Sequence, residues 1–133
     1  MSYKLSTIEF NTAVKLNSIF RYHHFLKKAN KGLELFILTA PNDEPFLQQA
    51  ENDGKEVTVL PLWCHELYAE HYSKNSNLND YKTQGITLGA FLEKWIPQLN
   101  NNNICFEIFP LPNDKERGQI ISCNDLLDKF EFL

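Results

Sequence analysis

Apolar and polar positions along the chain switch between a 3.6-residue and a two-residue period, and each switch marks a predicted element. Phe10, Ala13, Val14, Asn17, Phe20, Phe25 and Ala29 fall close to helical spacing and predict one helix over residues 7–30. Ser6 with Glu9 fits a capping box at its start. Lys27, Lys28 and Lys31 before Gly32 suit its end, where cations meet the macrodipole and glycine tolerates a left-handed cap. LELFILT, residues 33–39, is rich in strand formers and closes on Pro41-Asn42-Asp43, a turn. A weaker strand over residues 45–51 precedes Asp53-Gly54, the positive-φ pair of a two-residue hairpin, and EVTVLPLW, residues 56–63, follows it. These three strands predict an antiparallel meander.

Leu67, Ala69 and Tyr72 set against Glu66, Glu70 and His71 predict a helix over residues 64–73, and the asparagine-rich stretch 74–85 reads as a polar loop. Thr87 is positioned to cap a helix with the stripe Leu88, Phe91, Leu92, Trp95 and Ile96, which Pro97 should bend or end. In ICFEIF, residues 104–109, Glu107 falls on the more exposed face of a strand. Residues 110–117 form a turn, Gly118 opens the partner strand QIIS, and Asn124 caps a closing helix with Leu126, Leu127 and Phe130. The order α-β-β-β-α-α-β-β-α predicts an α+β fold: an antiparallel sheet of about five strands, a meander plus a hairpin, with helices packed on it.

Composition narrows the classes. With 133 residues, 43% hydrophobic and 13% aromatic, the chain suits a single domain spanning 1–133 with one core. The formal net charge of -4 and the dispersed lysines and arginines supply no broad positive field, so nucleic acid is not an expected partner. No apolar run approaches the roughly 18 residues of a membrane span, and the opening MSYKLSTIEF has no signal-type hydrophobic stretch; a cytoplasmic location without a membrane partner is the expectation. Cys64, Cys105 and Cys123 are an odd number without a CxxC pair and fit neither a disulfide framework nor a zinc site.

RYHHFLKKA (21–29), LPLWCHELYAE (60–70), ITLGAFLEKWIPQL (86–99) and the closing FP, G-x-I-I and LL pattern occur in an order and spacing that resembles the DUF2750 family of small bacterial proteins. The resemblance covers nearly the whole chain and supports the fold. It implies no cofactor and no catalytic residues, because the family is named for having no assigned function. Cys64 stands where the family pattern has proline, so any role for that thiol would be particular to this chain.

The sharpest local feature is the passage from strand to helix at residues 60–66. A helix N-terminus favours anions and lowers thiol pKa values, so Cys64 and His65 form a candidate reactive or anion-binding pair; packing plus a capping bond from His65 is the plainer alternative. A zinc-protease motif would need a second histidine at position 69, which is Ala69, and His71 lies about 240° around the helix from His65, so no metal site is expected. His23 and His24 point about 100° apart, one half-buried beside Phe20 and one solvated. Trp63 and Trp95 are expected in the core, and the charge runs Glu93-Lys94 and Asp114-Lys115-Glu116-Arg117 at the surface.

The sequence therefore predicts a non-enzymatic protein- or ligand-binding module, capable of homodimerising, with a candidate surface of Arg21, Tyr22, Trp63, Cys64, His65, Glu66 and Tyr68. The alternatives are an inhibitor or immunity-type protein that docks on a basic partner, and an enzyme built on Cys64 and His65.

Overall fold

A computed structural model describes residues 4–113 and 117–130. The long first helix is two helices, α1 (Thr7–Ala13) and α2 (Ser18–Gly32). Asn17, which the helical pattern counts as part of an apolar face, breaks it: its backbone is extended at φ -71° and ψ 172°, and its side chain accepts a hydrogen bond from the Phe20 amide as the cap of α2. Asparagine does this more readily than it sits within a helix. At the far end the left-handed position falls on Leu33, at φ 57°, rather than on Gly32.

Six strands follow among the described residues: β1 (Glu34–Thr39), β2 (Gln48–Asn52), β3 (Lys55–Leu62), β4 (Lys82–Thr87), β5 (Ile104–Ile108) and β6 (Gln119–Ile121). The Asp53-Gly54 turn is as predicted, with φ of 53° and 78° joining antiparallel β2 and β3. The meander is not. β1 pairs antiparallel with β4, which arises inside the predicted polar loop, and together they make a two-stranded sheet. The other sheet runs β2-β3-β5-β6, with β3 and β5 parallel. The fold is thus a mixed α and β fold of two sheets, and the predicted five-strand antiparallel arrangement is corrected. Reciprocal backbone hydrogen bonds between Phe36 and Trp63, at 2.8 and 3.0 Å, join β1 to the end of β3 and so link the sheets.

Two helices connect the parallel strands. α3 (Glu66–Lys74) starts on His65. α4 covers residues 88–101 and begins at Thr87, whose side chain accepts from the Ala90 amide. Pro97 does not end it, because the turn before it, Phe91–Trp95, widens to π geometry with Ile96 N–H bonded to the Phe91 carbonyl, and the helix resumes over Ile96–Asn101. The last helix, α5 (Cys123–Phe130), is capped by Ser122, which accepts from the Asp125 amide, and not by Asn124.

β5 is flanked by β3 and β6, and its two faces are both covered, so the alternation that would expose Glu107 does not apply: Glu107 is 3% exposed and Phe109 is fully buried. Of the charge run at 114–117, only Arg117 lies within the described residues.

Candidate functional site

The strand-to-helix junction is interior. Trp63, Cys64, Tyr68 and Arg21 are at most 2% exposed and His65 is 6% exposed. His65 Nδ1 accepts from the Leu67 amide at 3.1 Å and so caps α3, with its ring against Phe36 and Tyr68. Five of the seven residues of the candidate surface, Arg21, Trp63, Cys64, His65 and Tyr68, are thus interior. A β-strand that enters a helix at the centre of the fold is covered on all sides, and only Glu66, exposed, and Tyr22, half-buried, reach solvent. Burial, and the charge of Asp125 on α5, raise the pKa of Tyr22.

Arg21 and Trp63 instead hold one corner. Arg21 Nε donates to the Phe109 carbonyl at 2.9 Å, its Nη1 donates to Leu16 at 2.7 Å, and Trp63 Nε1 donates to the Pro110 carbonyl at 3.1 Å. Phe109 is a bulky residue at φ 53°, a left-handed backbone that needs such support. The segments RYHH, LPLW and FP, far apart in sequence, thus meet in one hydrogen-bonded structural unit. Glu107 lies nearby: Gly118 N–H and Arg117 Nη1 reach its carboxylate at 3.1 and 3.4 Å, yet burial outweighs them and raises its pKa.

One turn beyond the junction, α3 borders a groove. Leu5, Phe10 and Leu67 floor a groove of about 330 Å³ between α1 and α3, and Ser6, Thr7, Glu70, His71, Lys74 and Asn75 line the rest. Leu67 is 42% exposed. Phe10 stacks on Tyr68 with ring centroids 5.3 Å apart, and the His71 ring meets Phe10 edge-on at 5.4 Å. Partial burial lowers the pKa of His71. Lys74 Nζ is 2.7 Å from Glu70 Oε1, which leaves the rim close to neutral.

Behind Phe10, the Glu9 carboxylate lies 3.6 Å from His24 Nε2 and 3.7 Å from Lys28 Nζ. Burial depresses the pKa of His24; the charge of Glu9 opposes that shift, and those of Lys28 and Lys27 add to it. His24 is the half-buried member of its pair and His23 the exposed one, but its neighbours are Tyr68 and Phe109, while Phe20 is 58% exposed. Sequence reasoning missed Glu9, Phe10, His24, Lys28 and Leu67 as a group. The i, i+4 spacings of His24 with Lys28 and of Leu67 with His71 were the available signals. Among the described residues no three His, Cys, Asp or Glu side chains converge as metal ligands, and no helix is long and apolar enough to cross a membrane.

No curated protein matches this chain. Residues 22–130 of the 133 match a family model described as a protein of unknown function, DUF2750, and the chain belongs to that family.

Proposed function

We propose that this chain is a binding module rather than an enzyme, and that the groove between α1 and α3 receives an aromatic side chain from a partner protein. The observation that carries this reading is the groove's composition. Its apolar floor includes Leu67 at 42% exposure, ringed by polar groups, and its volume of about 330 Å³ is at the lower end for a ligand pocket and suited to a single ring. The Phe10 and His71 rings favour an aromatic guest through edge and offset-stacked contacts. The thiol and imidazole that an enzyme reading needs are committed elsewhere: Cys64 to the core and His65 to a helix cap.

Titration of 15N-labelled protein with 3-phenylpropionate, an aromatic probe bearing one carboxylate, tests the reading. The amides of Leu67, His71 and Lys74 are expected to shift together at millimolar probe, and Leu67→Asp is expected to abolish the shifts. A spectrum unchanged at saturating probe would sink the proposal.

A further inference from the structure

Where α2 ends and α4 begins, two positions depart from what folding alone favours. Leu33 takes the left-handed position after α2, at φ 57°, which glycine fills at less cost, and its side chain is 56% exposed. Gly89 lies in the first turn of α4, where alanine would favour the helix, yet no atom lies within 4 Å of the Cβ it lacks. Among the described residues nothing occupies that space.

Leu33 and Gly89 line, with Thr87, Leu88, Leu92 and Glu93, a groove of about 770 Å³ that shares no residue with the one between α1 and α3. Its two walls are tied together: Leu33 N–H donates to the Ala29 carbonyl, and the Leu33 carbonyl accepts from Leu88 N–H, both at 2.8 Å. The shape is therefore set before anything binds. The walls also complement each other. α2 contributes a projecting apolar side chain, Leu33, and an exposed cation two residues before it, Lys31. α4 contributes the opening at Gly89, beside Leu88 and Leu92, and an exposed carboxylate four residues later, Glu93. Among the described residues neither Lys31 nor Glu93 makes an ion pair.

We propose that this groove is the contact of a homodimer, in which Leu33 of each copy fills the space at Gly89 of the other and Lys31 pairs with the second copy's Glu93. A two-fold axis requires a surface that carries both halves of the contact, and this one does. A foreign protein would use only one half. Seven residues line the groove, against the roughly 20 to 30 a side of a standard interface, so the dimer is weak and forms at high micromolar concentration. The inference stands apart from the binding reading above, and pairing gives each particle two α1–α3 grooves.

Sedimentation equilibrium of the full chain up to about 1 mM tests it, with the average mass expected to rise from 15.5 kDa towards twice that value. Leu33→Gly removes the projecting side chain and suits the left-handed backbone, so it is expected to raise Tm while weakening association at least about tenfold. Gly89→Gln, folded by circular dichroism, fills the opening and is expected to weaken association as much. Lys31→Glu and Glu93→Lys should each weaken the dimer, and the two together should restore it, a coupling that a structural role in the monomer does not produce. A chain that stays at 15.5 kDa overturns the proposal and leaves the face to a different protein. Growth beyond a dimer overturns the two-fold contact, since closed pairing cannot extend. Association that survives both Leu33→Gly and Gly89→Gln, or that Leu67→Asp removes instead, belongs to another face and overturns it as well.

Discussion

Arg21 Nε donates to the carbonyl of Phe109 at 2.9 Å across 88 residues of sequence, and both side chains are buried. This bond closes the corner where β5 ends. The Phe109 amide is also held, donating to the Leu62 carbonyl at 2.8 Å, so a residue at φ 53° is fixed on both sides of its Cα.

Arg21→Met keeps the apolar stem but strands the Phe109 and Leu16 carbonyls. A destabilisation of roughly 2–3 kcal/mol is expected, the scale for buried acceptors left unpaired. Urea unfolding with an unchanged m-value measures it. A loss below about 0.5 kcal/mol, the usual scatter for surface sites, would show that the corner does not depend on this bond.

Gly118 supplies the amide that reaches Glu107, and it sits where no side chain fits. A Cβ there would lie 2.5 Å from the Ile108 carbonyl oxygen, and backbone of a central strand cannot yield as a side-chain tip can. Gly118→Ala is expected to cost about 1–3 kcal/mol, as overpacking does. The control is Gly89→Ala on α4, where nothing lies within 4 Å and helix propensity favours alanine, so stability should hold or rise. Equal effects at the two glycines would refute the steric account.

Glu107 gives a pH-dependent prediction. Its folded pKa is raised, by burial above all, so the native state binds its proton more tightly than the unfolded chain does. Its contribution is present below the unfolded value near 4.5 and is lost as pH rises through the folded value. Glu107→Gln keeps an acceptor for Gly118 N–H without a buried charge. The variant is expected to be more stable than the parent at pH 7, with the difference closing below about pH 4.5. A variant less stable at pH 7 would mean that the Arg117 contact, at 3.4 Å, dominates.

The two half-buried histidines act in the opposite direction. Burial lowers the folded pKa of both His24 and His71, so the unfolded chain binds more protons in the window below 6.5. The sign follows: stability is full above about pH 6.5 and declines as pH falls towards the lowered folded values. Around His24 stand Glu9 from α1, Lys27 and Lys28 on its own helix, and the rings of Tyr68 and Phe109. His24→Gln should flatten the decline between pH 6.5 and 5 in thermal unfolding, and an unchanged slope would rule out His24 as its source.

Elements whose signals are local were legible. The Asp53-Gly54 hairpin, the Thr87 cap and the Ser6 bond to the Glu9 amide all depend on residues a few positions apart. What escaped depends on pairing across distance. β4 is stabilised by partnership with β1, from Glu34↔Thr87 to Thr39↔Lys82, and its own sequence, KTQGIT, has little apolar alternation. Glu107 looks like an outward position until both faces of its strand are covered by the rest of the fold. The junction at Trp63 to His65 was rightly located as a strand entering a helix, but nothing local to those residues says that α1, α2 and β1 close over them. The groove at Leu67 requires α1 to fold back onto α3, which the apparent continuity of residues 7–30 concealed.

Thiol reactivity separates the binding reading from an enzyme built at the junction. Cys64 is 1% exposed and Cys123 2% exposed, and Cys105 is half-buried. Burial, with a smaller effect of Cys105, pushes the Cys123 thiol up to about 11, and its Sγ lies 3.2 Å from the Ile104 carbonyl oxygen as a weak donor. The thiolate is the reactive form, and access is needed as well. Native protein treated with iodoacetamide at pH 8 should therefore label Cys105 first, with Cys64 and Cys123 reacting only once urea unfolds the chain. Mass spectrometry of the digested protein reads the order. Rapid labelling of Cys64 in the folded protein would mean that the junction opens to solvent, and the case for chemistry at Cys64 and His65 would then be the stronger one.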